Sequence, residues 1–166
     1  IESATLADTT GSKVVNGAVI TFKYGTETIE AAEAKWTGTI GANEFTINAG
    51  IENGAAANGI AIKFTTGATE GAAWSGNELT ITLDQTKADY TATDIQGLIQ
   101  SATTNAPSDI DVTKFAVSAS GTDVINASAL TEPITITLAN GADAETEDVI
   151  TVSDGTDSKN FTITDK

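Results

Sequence analysis

One pattern constrains this chain more than any other, and it is written three times. The first copy runs Asn16-Gly17-Ala18-Val19-Ile20-Thr21-Phe22, then Gly25, then Asn43-Glu44-Phe45-Thr46-Ile47. The second runs Asn58-Gly59-Ile60-Ala61-Ile62-Lys63-Phe64, then Gly67, then Asn77-Glu78-Leu79-Thr80-Ile81. The third is looser: Ile134-Thr135-Ile136-Thr137-Leu138, then Gly141, then Asn160-Phe161-Thr162-Ile163. Within each copy apolar residues alternate with Thr or Lys. Successive side chains of a strand point to opposite faces, so period two predicts one buried row and one wet row. β-Branched Thr suits the wet face of a pleated sheet. The repeat therefore predicts strand–loop–strand hairpins paired antiparallel.

Phe115–Ala119 and Val149–Val152 read as further strands. One segment departs from period two. Ile95, Leu98, Ile99 and Ala102 fall at helical spacing. Thr93 followed three places later by Gln96 fits a capping box, and Pro107 predicts an end near Asn105-Ala106. A helix over about 91–104 is expected to cover Ile60, Ile62, Leu79 and Ile81. The fold class is thus mainly β, with antiparallel hairpins and one short α-helix packed on a sheet. Softer stretches at 48–57 and 118–129 suggest an N-terminal β module over 1–50, a ββαβ module over 51–120 and a C-terminal hairpin module over 121–166, or one continuous domain.

Composition narrows the chemistry. The 166 residues include no Cys and no His, which removes thiolate and imidazole nucleophile pairs. A Ser–Lys pair is conceivable, but no nucleophile elbow frames one. Carboxylate pairs for glycosidic chemistry lie dispersed in acidic segments, and the 5% of aromatic residues offers few sugar platforms. These observations point away from an enzyme. Eight cationic residues against 23 acidic ones give a net charge of −15, the wrong sign for nucleic acid or anionic lipid. No apolar run has the length of a membrane span. The absence of Met suggests a processed or internal start, a mature form or fragment of something longer.

Calcium is the one metal the residues invite. Asp143, Glu145, Glu147 and Asp148 place four carboxylates within six residues, and Asp154-Gly155-Thr156-Asp157-Ser158 is another oxygen-rich turn. Neither has the spacing of a helix–loop–helix calcium loop or of the glycine-rich nonapeptide repeat, and Asp-Gly is equally a hairpin turn. Asn126-Ala127-Ser128 and Asn160-Phe161-Thr162 fit the glycosylation acceptor pattern, which chance also supplies in a chain rich in Asn and Thr. Trp36 and Trp74 occupy similar places in the first two copies and read better as core plugs than as a ligand platform.

The stretch Val149-Ile150-Thr151-Val152-Ser153-Asp154-Gly155-Thr156-Asp157-Ser158-Lys159-Asn160-Phe161-Thr162-Ile163 resembles the short "IN" motif of flagellar proteins, a strand, an Asp-Gly-Thr turn and a second Thr-rich strand. The helical segment 91–102 is similar to segments in the outer domains of flagellins and hook-associated proteins. The resemblance covers about a tenth of the chain, and the helical ends by which flagellins polymerise are not visible in it. It implies a non-catalytic, extracellular module on the bacterial cell surface, with copies of itself or other surface-assembly subunits as partners. Bacterial adhesins and phage tail proteins carry similar text, which implies a binding module as the alternative.

Overall fold

The computed structural model describes residues 21–87, 89–131, 133–153 and 158–162. Two compact units divide the chain, one built from residues 1–29 and 146–166 and the other from residues 30–145. The protein is mainly β, as the alternation predicts, and among the described residues it has one α-helix.

The first unit holds β1 (Thr21–Ile29), β9 (Glu145–Ser153) and β10 (Ser158–Thr162) in the order β1-β9-β10. β9 and β10 form the antiparallel hairpin expected of the Val149–Ile163 stretch, from Ser153 opposite Ser158 to Val149 opposite Thr162. Its Asp-Gly turn and Ile163 lie outside the described residues. Val149 and Val152 are buried, but the apolar row of β1 is not: Phe22 is 63% exposed and Tyr24 65%. Alternation specifies a pleat with two unlike faces. It does not supply a second layer, so the expected burial of this row is corrected.

The second unit packs two sheets and the helix around one core. β2 (Lys35–Ile40), β3 (Asn43–Asn48) and β7 (Ala116–Ala119) form the first sheet, in that order. β2 and β3 join through a two-residue turn at Gly41-Ala42, where Gly41 has φ +66°. Glycine adopts that conformation without a Cβ clash. The second sheet runs β5 (Gly71–Ser75), β6 (Glu78–Asp84), β4 (Ala61–Gly67), β8 (Ile134–Thr137). Its register lines up a buried row across all four strands: Trp74 opposite Leu79, Leu79 opposite Ile62, and Ile62 opposite Ile136. A second row, Ala72, Ile81, Phe64 and Ile134, lies one pleat along. Each buried Leu, Ile or Phe contributes about 1.5–3 kcal/mol.

Among the described residues the repeated unit does not pair as a hairpin in any of its three copies. In the first copy β1 and β3 belong to different sheets, and in the third β8 and β10 do. In the second, β4 and β6 pair in parallel, Ile62 with Leu79 and Phe64 with Ile81. The reason is β5. The chain leaves β4, skips one strand position, descends as β5 and returns through the tight turn Gly76-Asn77 so that β6 fills the gap. Two ladders also cross the expected module boundaries near 50 and 120, since β3 pairs with β7 and β4 with β8.

The helix α1 (Ala92–Ser101) is shorter than expected and starts on a different cap. Thr91 is the N-cap: its hydroxyl accepts from Asp94 N, and Asp94 accepts from Thr91 N. This register, rather than Thr93 with Gln96, places buried Tyr90 just before the cap and buried Ile95 at the fourth helical position, where apolar residues fix the chain's approach. Ile95 and Ile99 face inward, and α1 packs against β7, β5 and β6.

Candidate functional site

A polar cluster forms where β6 hands over to α1. Tyr90 is fully buried and its hydroxyl works in both directions, accepting from Asp84 N at 2.8 Å and donating to Glu70 Oε2 at 2.9 Å. Lys87 Nζ lies 3.5 Å from Glu70, 3.3 Å from Asp94 and 4.2 Å from the centre of the Tyr90 ring. A cation over an aromatic face is attracted by the ring quadrupole. Burial pushes the Tyr90 hydroxyl above its ordinary pKa, and the Glu70 carboxylate adds to that. The Thr91 hydroxyl and amide hold Asp94 below the usual carboxylate range. Glu70, Lys87, Thr93, Asp94, Gly97 and Leu98 line an open groove beside the cluster.

Chemically the cluster is a staple. Asp94 caps a helix, Lys87 bridges two carboxylates, and Tyr90 satisfies a backbone amide. A general base needs a free lone pair aimed at a substrate position. Here Asp94, Lys87 and the Tyr90 hydroxyl are engaged with one another or with backbone, and half-exposed Glu70 meets Tyr90 and Lys87 through Oε2.

The acidic segment behaves differently from a metal cage. Asp143 turns to the second unit's own backbone, accepting from Ala55 N at 2.9 Å. Glu145 opens β9 and is exposed. Glu147 accepts from Thr162 Oγ1 at 2.9 Å, on the opposite face of β9 from Asp148, which holds the Tyr24 hydroxyl above its ordinary pKa by hydrogen bonding to it. Among the described residues no group of three or more carboxylates is gathered as a metal ion requires. The Asp154–Asp157 part of the second oxygen-rich turn lies outside the described residues.

Trp74 is core: it is 5% exposed and its Nε1 donates to Ala102 O at 2.8 Å. Trp36 is half-buried and packs on the same core. Asn126 caps the 3-10 turn Ala127–Ala129 and takes a hydrogen bond from Ser128. Asn160 pairs with Thr151 and reaches Glu27 at 3.2 Å. Among the described residues no helix is long and apolar enough to cross a membrane.

The side chains that organise the second unit are two asparagines read from the sequence as loop and repeat punctuation. Buried Asn53 bonds to the backbone of Ala49 and Asp111, and Asn58 bonds to both backbone groups of Gly141. The preference of Asn for backbone partners was visible; the partners, 58 and 83 residues away, were not.

No family model, no curated protein and no solved structure matches the chain.

Proposed function

We propose that this chain is a non-catalytic, surface-exposed structural module of a bacterial extracellular filament, comparable to the outer domain of a flagellin. The observation that carries the reading is the adjacency of β1 and β9 in one sheet. A module displayed from a shaft must leave and rejoin its parent chain at one place. Residues 30–145 leave after β1 and return through β9, its sheet neighbour. The engagement of polar side chains supports the same reading: no buried side-chain N or O among the described residues lacks a hydrogen-bond partner. The net charge of −15 keeps copies of such a surface soluble. Partners are then other copies or neighbouring assembly subunits, and the location is the cell surface.

The test is negative-stain microscopy of the parent protein with gold-labelled antibody against residues 30–145. Labelled filaments are the expected result. A parent protein that stays monomeric under every assembly condition sinks the proposal.

The alternative, a binding module of an adhesin or phage tail, draws on the exposed Phe22 and Tyr24, two aromatic faces on one side of β1. A glycan array separates the two: saturable binding to one sugar class, abolished in Phe22→Ala/Tyr24→Ala, favours the binding module.

A further inference from the structure

We propose that Asn140 is a site of spontaneous deamidation and that Asn58 sets its rate. Three Asn-Gly pairs fall in the described residues: Asn53-Gly54, Asn58-Gly59 and Asn140-Gly141. In this chemistry the glycine nitrogen, having lost its proton to base, attacks Cγ of the preceding asparagine. A C–N bond forms, ammonia leaves, and a five-membered imide results. Water then opens the imide at either carbonyl, leaving aspartate or isoaspartate. The net change is one water consumed and one ammonia released. Two locks oppose it: hydrogen bonds on the asparagine amide, and a hydrogen bond on the glycine N–H.

The pairs differ in their locks. Asn53 is buried with its amide bonded to Ala49 and Asp111. Asn58 has its amide bonded at both ends to Gly141, and Gly59 N donates to Leu138 O at 2.9 Å. Asn140 is exposed, and its side-chain amide makes no hydrogen bond to the described residues. Its single lock is the next residue's amide, since Gly141 N donates to Asn58 Oδ1 at 2.8 Å. Ring closure at Asn140 therefore waits on opening of the Asn58–Gly141 clamp.

The product does not fit where the reactant did. Gly141 lies so close to Gly54 that a Cβ on it would overlap the Gly54 carbonyl. An isoaspartate at 140 adds a methylene to the main chain immediately before that contact. The clamp and the Gly54–Gly141 approach cannot both survive it, so the 3-10 segment Ile51–Ala57, kinked at Gly54, loses its hold on residues 139–143.

The experiment incubates the full chain under warm, mildly alkaline conditions and maps peptides by mass spectrometry. Asn140 converts ahead of Asn53 and Asn58, which persist, and the Gly141 amide is protected in hydrogen exchange. Asn58→Ala speeds conversion at Asn140 roughly tenfold, the scale of losing two hydrogen bonds. Conversion of Asn53 or Asn58 ahead of Asn140 overturns the proposal, as does an unprotected Gly141 amide or an unchanged rate in folded Asn58→Ala. The site order and the exchange measurement decide the matter in the unsubstituted protein if that variant does not fold.

Discussion

Asn53 and Asp111 pair as two strands pair. The Asn53 side-chain nitrogen donates to Asp111 O at 3.0 Å, and Asp111 N donates to the Asn53 side-chain oxygen at 2.8 Å. One primary amide thus stands in for a peptide unit, with Asn53 buried and Asp111 at the surface, between segments 58 residues apart. The same nitrogen also reaches Ala49 O. Asn53→Ala leaves one amide and two carbonyls without their partner, and unmade buried hydrogen bonds cost more than made ones contribute. The expected loss is about 2–4 kcal/mol, read as a lower urea midpoint at unchanged slope. Asn53→Asp is expected to be worse at neutral pH, because its charged oxygens face the carbonyls of Ala49 and Asp111.

Tyr90→Phe keeps the buried ring and removes the hydroxyl. Asp84 N then loses its acceptor, at an expected cost of about 1–2 kcal/mol. The hydroxyl also sets a pH limit. Burial raises its pKa in the folded state, so the unfolded chain releases the proton first. Stability is whole below the ordinary Tyr value and falls as pH rises past about 10. The alkaline fall in melting temperature is expected to be shallower in Tyr90→Phe than in the unsubstituted chain.

Much of this architecture was legible because period two survives any topology. Ile62 and Phe64, Leu79 and Ile81, and Ile136 all face inward as their alternation requires. The same property hid the pairing: alternation is identical in parallel and antiparallel ladders, so β4 and β6 read as a hairpin. β5 was missed because Gly71-Ala72-Ala73-Trp74-Ser75 offers one large apolar residue and no β-branched one. The helix was legible from Ile95 and Ile99. Its cap was not, since Thr91–Asp94 and Thr93–Gln96 both fit the capping spacing and burial of Tyr90 decides between them. The acidic run invites a cation by its density of carboxylates along the chain, and among the described residues no three of them gather in space. A strand sends Glu147 and Asp148 to opposite faces.

Acid should unfold the second unit through its turns. Asp94 is held below its ordinary pKa by the Thr91 hydroxyl first, Asp111 by the Thr113 hydroxyl, and Asp84 by the Thr86 amide. A carboxylate with a depressed folded pKa contributes stability that is present above its unfolded value and lost as pH falls through the folded one. The window lies below about pH 4. Relief of the chain's negative self-repulsion acts the other way, so the measurement belongs at 0.15 M salt, where a Debye length of about 8 Å screens the distributed charge. Melting temperature is expected to hold to about pH 4.5 and drop below 4, with a shallower drop in Thr91→Ala, whose Asp94 has lost its main partner.

Two glycines to alanine should move stability in opposite directions. Gly97 sits mid-helix, exposed, with nothing within 4 Å of where a Cβ would stand. Alanine there removes backbone freedom from the unfolded chain at no steric cost, so Gly97→Ala is expected to stabilise by about 0.5–1 kcal/mol. Gly54 has φ +39°, and a Cβ would overlap the Asp143 carboxylate that receives the Ala55 amide. Either Asp143 gives up that hydrogen bond or the turn shifts away from residues 142–143. An expected loss of about 2–4 kcal/mol for Gly54→Ala follows from overpacking together with a conformation that L-residues rarely adopt. Urea unfolding of both variants tests the pair. A neutral Gly54→Ala would show that the turn and the 142–143 backbone are not in close contact, and the Asn58–Gly141 clamp beside them would lose its geometric basis.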